Sequence, residues 1–169
     1  IITRKNPDHK AYARVEAGSH SLLNTEARWV IKGEVATTQL SAGYMTSSGY
    51  INNSDYDIFN LLSQTRLNIE KSKVDIQLGY NDKQYGANTF YSAAYPNQYD
   101  KTNSYLASVK GEMGDKLKFI PLVYWNRHND CFQLIKGDES KVPYNHHKTD
   151  VYGSNLNLQY TSQIGITSF

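Results

Sequence analysis

The sequence is poor in several things that commonly define a protein's class. It has a single cysteine, Cys131, in 169 residues. That excludes an internal disulfide and a cysteine-rich metal site, and leaves Cys131 as a bystander thiol. It has no excess of one charge: 18 Lys and Arg stand against 16 Asp and Glu. A nucleic-acid footprint and a basic tail are therefore absent. No apolar run approaches the ~18–20 residues of a membrane-crossing helix. That absence leaves a barrel open, because a barrel strand needs only about 9–11 residues, half of which can be polar. Helical periodicity is scarce too, and no nucleophile motif, P-loop or glycine-rich phosphate cradle is present, so the chain does not read as an enzyme.

What is abundant is tyrosine, 14 residues against 5 Phe and 2 Trp. A ring with a polar tip suits a boundary between oily and wet surroundings. Period-two alternation is equally abundant. Ala11, Ala13, Val15 and Ala17 share one face, and Tyr12, Arg14 and Glu16 the other. The pattern recurs around Thr25–Ile31, Ala36–Tyr44, Phe59–Ile69, Val74–Tyr80, Tyr105–Val109, Phe119–Trp125 and Leu156–Tyr160, with a ninth segment beginning at Ile166. The expected fold is all-β: an antiparallel up-and-down transmembrane β-barrel segment of about 8–9 strands, an open curved sheet if seen alone.

The connections between segments differ. Lys32–Glu34, Glu70–Lys73, Met113–Lys116 and Thr161–Gly165 read as short turns. Thr46–Asp55, Asp82–Asn103 and Asp130–Asp150 read as long loops. Short turns at one end and long loops at the other are the habit of outer-membrane barrels. With the first strand running towards the long-loop end, Tyr44, Tyr80, Tyr105, Trp125 and Tyr152 fall at one level of the apolar face, and Trp29, Phe119 and Tyr160 at another. Two aromatic belts with small aliphatics between them are expected of a wall facing lipid. The competing reading is a soluble β-sandwich that binds glycans through its tyrosines.

Four stretches carry a resemblance. The opening IITRKNPDH resembles the end of the plug domain in TonB-dependent outer-membrane receptors, and AGSHSLLNTEARW resembles their first barrel hairpin. GYNDKQYGANTFYSAAYPNQYDKT and IPLVYWNRHND resemble the branch of that family that takes up cobalamin. The resemblance implies a partial receptor: residues 1–9 as end of plug and linker, and residues 10–169 as the N-terminal part of a barrel of about 22 strands around a plugged lumen. It implies a bacterial outer-membrane location in contact with the lipid bilayer. The ligand would be cobalamin or another corrinoid, with a siderophore or haem as the alternative. A TonB-type energy-coupling protein would act through the N-terminal part not contained in this sequence, and a surface lipoprotein would be a further partner. Nucleic acid is not an implied partner.

Two groups of residues are candidates for binding. In the resembled transporters, acids near the re-entry of the second outer loop hold calcium, which points to Asp55 and Asp57, with Asp82 joining if the loops meet. No cofactor is otherwise required. Carboxylates suit a hard cation, but a full shell needs about 6–8 oxygens, so solvated loop acids remain the other reading. The aromatic residues Tyr85, Phe90, Tyr91, Tyr95 and Tyr99 lie in one outer loop, Asp82–Asn103. Such rings could stack on a large flat ligand or a partner protein, or pack the loop against itself. His128, His146 and His147 read as surface or loop histidines rather than a zinc site, since adjacent residues on a strand face opposite ways.

Overall fold

The computed structural model describes residues 10–140 and 142–169. The expected plug end and linker at residues 1–9 lie outside the described residues. Nine strands form one antiparallel sheet in strict sequence order. They are β1 (Ala11–Gly18), β2 (Leu22–Lys32), β3 (Ala36–Ser47), β4 (Tyr56–Ile69), β5 (Ser72–Gly86), β6 (Tyr99–Glu112), β7 (Leu117–Gln133), β8 (Asn145–Ser162) and β9 (Gly165–Ser168). Each strand pairs only with its neighbours in sequence, as an up-and-down meander requires.

The strands are longer at the loop end than alternation predicts. The long connections shrink to residues 48–55, 87–98 and 134–144. Asp82 and Tyr85 are therefore residues of β5, and Tyr99 and Asn103 belong to β6. The ladder continues upward because backbone pairing needs no apolar side chains, and this is invisible to a reading based on hydrophobic period.

Register sorts the side chains into two faces, since paired residues share a side. One face is apolar. Across it run Ala13↔Ala27↔Ala42↔Leu61 and, further along, Val109↔Val123 and Pro121↔Leu156. No charged residue occupies that face between Tyr44 and Ala36 on β3, between Tyr80 and Val74 on β5, or between Tyr152 and Tyr160 on β8. Its hydroxyls pair with each other, as Thr38 and Thr65 do at 2.9 Å. The other face is polar, and many of its side chains bond to one another. Arg66 forks onto Asp75 at 2.6 and 2.7 Å, Asn81 donates to Asn60 at 2.7 Å, and Lys118 donates to Glu112 at 2.7 Å.

The described residues form no hydrophobic core in the usual sense. Among the described residues, the buried apolar side chains are Val30 and Ala87. Trp29 is 63% exposed on the apolar face. A glycan-binding sandwich would hide such rings between two sheets, whereas the described residues form one.

The polar face is concave. One open groove of 780 Å³ is lined mostly by polar-face residues, from Tyr12 on β1 to Asn126 on β7. On a flat sheet those strands would stand ~29 Å apart, so the sheet must curl towards its polar side. Pro121 interrupts the β6–β7 ladder, which resumes only at the Met113↔Phe119 bridge. A proline has no N–H to give there, and Gly111 opposite leaves room for its ring.

Candidate functional site

The site is assembled at the long-loop end, where three connections meet above the concave face. Its centre is Asn53, in a left-handed conformation (φ 56°) that asparagine tolerates better than most residues. The Asn53 amide donates to the carbonyls of Gln98 (2.6 Å) and Pro96 (3.0 Å), while its own carbonyl accepts from the N–H of Asn88 (3.1 Å). Asn88 returns a bond to the Asn52 carbonyl at 2.6 Å. Gln98 is wholly buried: its amide donates to the Ser92 carbonyl (3.1 Å) and accepts from the Tyr91 N–H (3.0 Å). Residues 48–55 and 87–98 are thus clasped through side chains that satisfy backbone groups.

The third connection joins through Lys136. Its N–H donates to the Asn97 carbonyl at 2.7 Å, and its ammonium reaches Asp55 at 3.0 Å and lies 4.7 Å from the centre of the Tyr99 ring. Gly86 closes the arrangement from below. A Cβ there would sit 2.6 Å from the Asn53 backbone, so only glycine lets β5 pass so near the clasp.

The candidate aromatic residues divide between the two faces. Tyr85 lies on the concave side and donates to Asp100 at 2.9 Å. Tyr91 packs edge-on against Phe132, with centroids 4.8 Å apart, and Phe90 packs edge-on against Tyr91 at the same spacing. Phe132 is a concave-side residue paired with Asp100, so its contact with Tyr91 lies on the concave side, further up β7 than the groove-lining Asn126. Phe90 remains 75% exposed. Thr89 beside it holds φ 53°, an uncommon value for a β-branched residue. Tyr95 lies in the loop, its N–H bonded to the Ser92 carbonyl at 3.2 Å. Tyr99 is on the apolar side, donating to Gln84 at 2.8 Å. Burial, and then the charges of Asp55, Asp57 and Asp82, hold its hydroxyl protonated above the usual tyrosine range.

The three acids considered for calcium each have a separate partner. Asp55 is paired with Lys136, Asp57 accepts from the Tyr44 hydroxyl at 2.6 Å, and Asp82 accepts from Tyr80 (3.2 Å) and from Asn103. Among the described residues, no three His, Cys, Asp or Glu side chains are grouped as metal ligands. Asp57 and Asp82 sit on the apolar side, one above the Tyr44 and Phe59 level and the other beside it.

A different pair of acids lies on the concave side. Asp100 is 7% exposed and one of its oxygens, Oδ1, has no partner. Burial raises its carboxyl above the ordinary range; the Tyr85 hydroxyl opposes that shift, and neighbouring Asp130 adds to it. Asp130 is itself within 3.3 Å of His147 Nδ1. No acid sits at a helpful sequence spacing from His147, because the β7–β8 register that brings Asp130 opposite it is not written in local spacing. His128 lies on the same side, 2.8 Å from Ser104, whereas His146 faces the other way.

No family model, curated protein or solved structure matches this chain.

Gln98, Asn53, Phe132, Lys136 and Asp100 are the residues that sequence reasoning passed over. Phe132 could have been found by alternation, since it shares a parity with His128 and Asp130. The Asn53–Gln98 clasp left no comparable signal, because it joins loops 45 residues apart.

Proposed function

We propose that this chain is a stretch of the wall of an outer-membrane nutrient transporter of the TonB-dependent kind, with its apolar side against lipid and its concave side lining the passage. The observation that carries the reading is the construction of the rim. Tyr44, Tyr80 and Trp125 lie on the apolar face, and each donates its polar tip to a carboxylate at the rim: Tyr44 to Asp57 (2.6 Å), Tyr80 to Asp82 (3.2 Å) and Trp125 to Asp150 (2.9 Å). Rings on the oily side with tips bonded into a polar ledge are what a membrane interface selects. A charge-free face below the ledge fits hydrocarbon, and a face of amides and ion pairs behind it fits water.

The groove and its mouth support transport of something large. The lining mixes amides and hydroxyls with Leu61, Leu62 and Leu106, and offers many weak donors and acceptors. Phe90, Tyr91 and Phe132 offer ring faces and edges held by a clasped loop, which suit a broad, partly apolar ligand such as cobalamin or another corrinoid. An iron chelate or haem would use the same surface. In this reading the loops capture ligand, a plug moves, and an inner-membrane partner supplies the work. Calcium at the outer loops is not needed for the Asn53–Gln98 clasp, which is made of neutral groups.

The test is ligand binding by the full-length protein in bilayers. Cyanocobalamin should bind, and Phe90→Ala with Tyr91→Ala should weaken it by about ten-fold or more. Saturable binding of haem or a ferric chelate with no cobalamin binding would move the ligand to the alternative. Binding of none of them would remove the transporter reading.

A further inference from the structure

The apolar side does not end at the aromatic rim. On β6, β7 and β8 it continues upward as a patch two rows deep. Lys101, Cys131 and His146 form one row, and Asn103, Asn129 and Lys148 form the row beneath. These side chains share a face, and they border an open groove of 300 Å³. Lys101, His146 and Lys148 are exposed. Neither lysine is in an ion pair among the described residues, and the adjacent acids are already engaged. Asp150 is held by Arg127 (2.7 Å) and Trp125 (2.9 Å), and Asp82 by Asn103 and Tyr80. The patch therefore presents two exposed lysines outside any such pair, with the Asn129 amide between them; the Asn103 amide is taken up by Asp82 and Tyr80.

Its position decides what it would hold. Lys148 stands four residues above Tyr152, and Lys101 four above Tyr105. Allowing for strand tilt, that is about 11 Å up the wall. Headgroups occupy the first several ångströms outside the hydrocarbon, and a lysine side chain can bend down to meet them. A free anion would use the cations alone. An amphiphile would use both the cations and the rings of Tyr105, in the next row down beside the Arg127–Asp150 pair, and of Trp125 and Tyr152, one row further. Exposed lysines, an amide donor and apolar rings on one continuous face match a phosphate-bearing lipid.

We propose that the β6–β8 ledge, through Lys101 and Lys148 with Asn129, binds the phosphate headgroup of a membrane lipid. The site rests on the membrane reading above but is separate from the passage: it lies on the opposite face of the sheet from Phe132 and Asp100. It would anchor lipid to the outside of the wall beneath the clasped loops.

The experiment is native mass spectrometry of the full-length protein released from phosphatidylcholine nanodiscs containing a minor fraction of phosphatidic acid. The protein should retain phosphatidic acid in preference to phosphatidylcholine. The double variant Lys101→Ala, Lys148→Ala should retain it about ten-fold less. Lys101→Arg with Lys148→Arg should restore retention. Equal retention of the two lipids, or undiminished retention by the alanine variant, would overturn the proposal while the membrane reading stood. Failure of the wild-type protein to enter neutral nanodiscs would overturn both. Inorganic phosphate that displaced the lipid completely at equal concentration would also overturn it, because the rings would then contribute nothing.

Discussion

Trp29 and Trp125 lie on one continuous hydrogen-bonding row of the sheet: Trp29↔Leu40↔Ser63↔Leu78↔Ala107↔Trp125. Yet they sit at opposite ends of the wall. Trp29 is close to the short turn that follows β2, and Trp125 is directly below the Arg127–Asp150 ion pair on the long-loop side. A row can join opposite rims only if the strands lean. The upper ring level gives the angle. Tyr44 faces Phe59, but Phe59 faces Asp82, and the next ring, Tyr80, is two residues lower. Tyr80 faces Tyr105, which faces Arg127, and the ring Trp125 is again two residues lower. A descent of two residues for every two strands corresponds to a lean of about 35°, from the usual rise and strand spacing. That is within the range of closed membrane barrels. On β8 the rings Tyr152 and Tyr160 then bracket a band about 22 Å tall, close to the ~25 Å expected of a lipid-facing wall.

The sidedness of β8 makes the first prediction. Leu156→Arg puts a charge in the middle of the apolar band and should cost about 2–4 kcal/mol in bilayers. Asn155→Arg, one residue away on the concave face, should cost less than about 0.5 kcal/mol. Equilibrium unfolding of both variants in the same lipid measures the difference. Equal costs would mean that the two faces meet the same solvent.

The rim bonds make a second prediction. Tyr44→Phe removes the donor to Asp57 and Tyr80→Phe one donor to Asp82, with little change in ring contact. Each should lower stability by about 0.5–1.5 kcal/mol, and the pair should be close to additive, since the carboxylates are different. A null result for both would show that the tips are solvated rather than bonded.

The loop clasp makes a third. Gly86→Ala forces a methyl into the Asn53 backbone, and Asn53→Ala leaves the buried Gln98 carbonyl short of a donor. Either should cost about 1–3 kcal/mol locally. Proteolysis should then cut within residues 87–98 while the lower ladder stays protected in hydrogen exchange. Unchanged cleavage would show that the loops are held by something else.

Asp100 makes the pH-dependent prediction. Its folded carboxyl is raised, chiefly by burial, so the folded state favours the proton. The stabilising effect of that proton is complete below the ordinary carboxylate pKa and is lost as pH rises through the raised value. Tyr85 and Lys83 on β5 and Asp130 on β7 face this group, with His147 on β8 behind Asp130. Resistance of residues 87–98 to proteolysis should fall with rising pH across that window, and Asp100→Asn should flatten the profile. A profile unchanged in the variant would assign the titration elsewhere.

The fold was legible because alternation is a local property. Ala11–Val15, Thr25–Ile31 and Leu156–Tyr160 carry their facing in consecutive residues, and the short turns fell where expected. The upper strand ends were not legible. Asp82–Gly86 and Tyr99–Asn103 pair without any apolar rhythm, so five candidate rings read as one loop divide between a loop and two strands. The acids Asp55, Asp57 and Asp82 were legible as a group in sequence but not as three separate partnerships: Tyr44 reaches Asp57 across strands, Lys136 reaches Asp55 from another loop, and Tyr80 meets Asp82 only because both lie on one strand face. The same holds for Tyr91 on Phe132: a contact across 41 positions has no local trace.

The most direct test of the central claim uses Trp29 and Trp125. Both rings should lie at the edges of hydrocarbon, so lipids brominated near the top of their acyl chains should quench both, in the full-length protein reconstituted in bilayers. Trp29→Phe and Trp125→Phe separate the two contributions, and aqueous iodide should reach neither ring efficiently. Efficient quenching by iodide with none from the brominated lipids would place these rings in water and contradict the account.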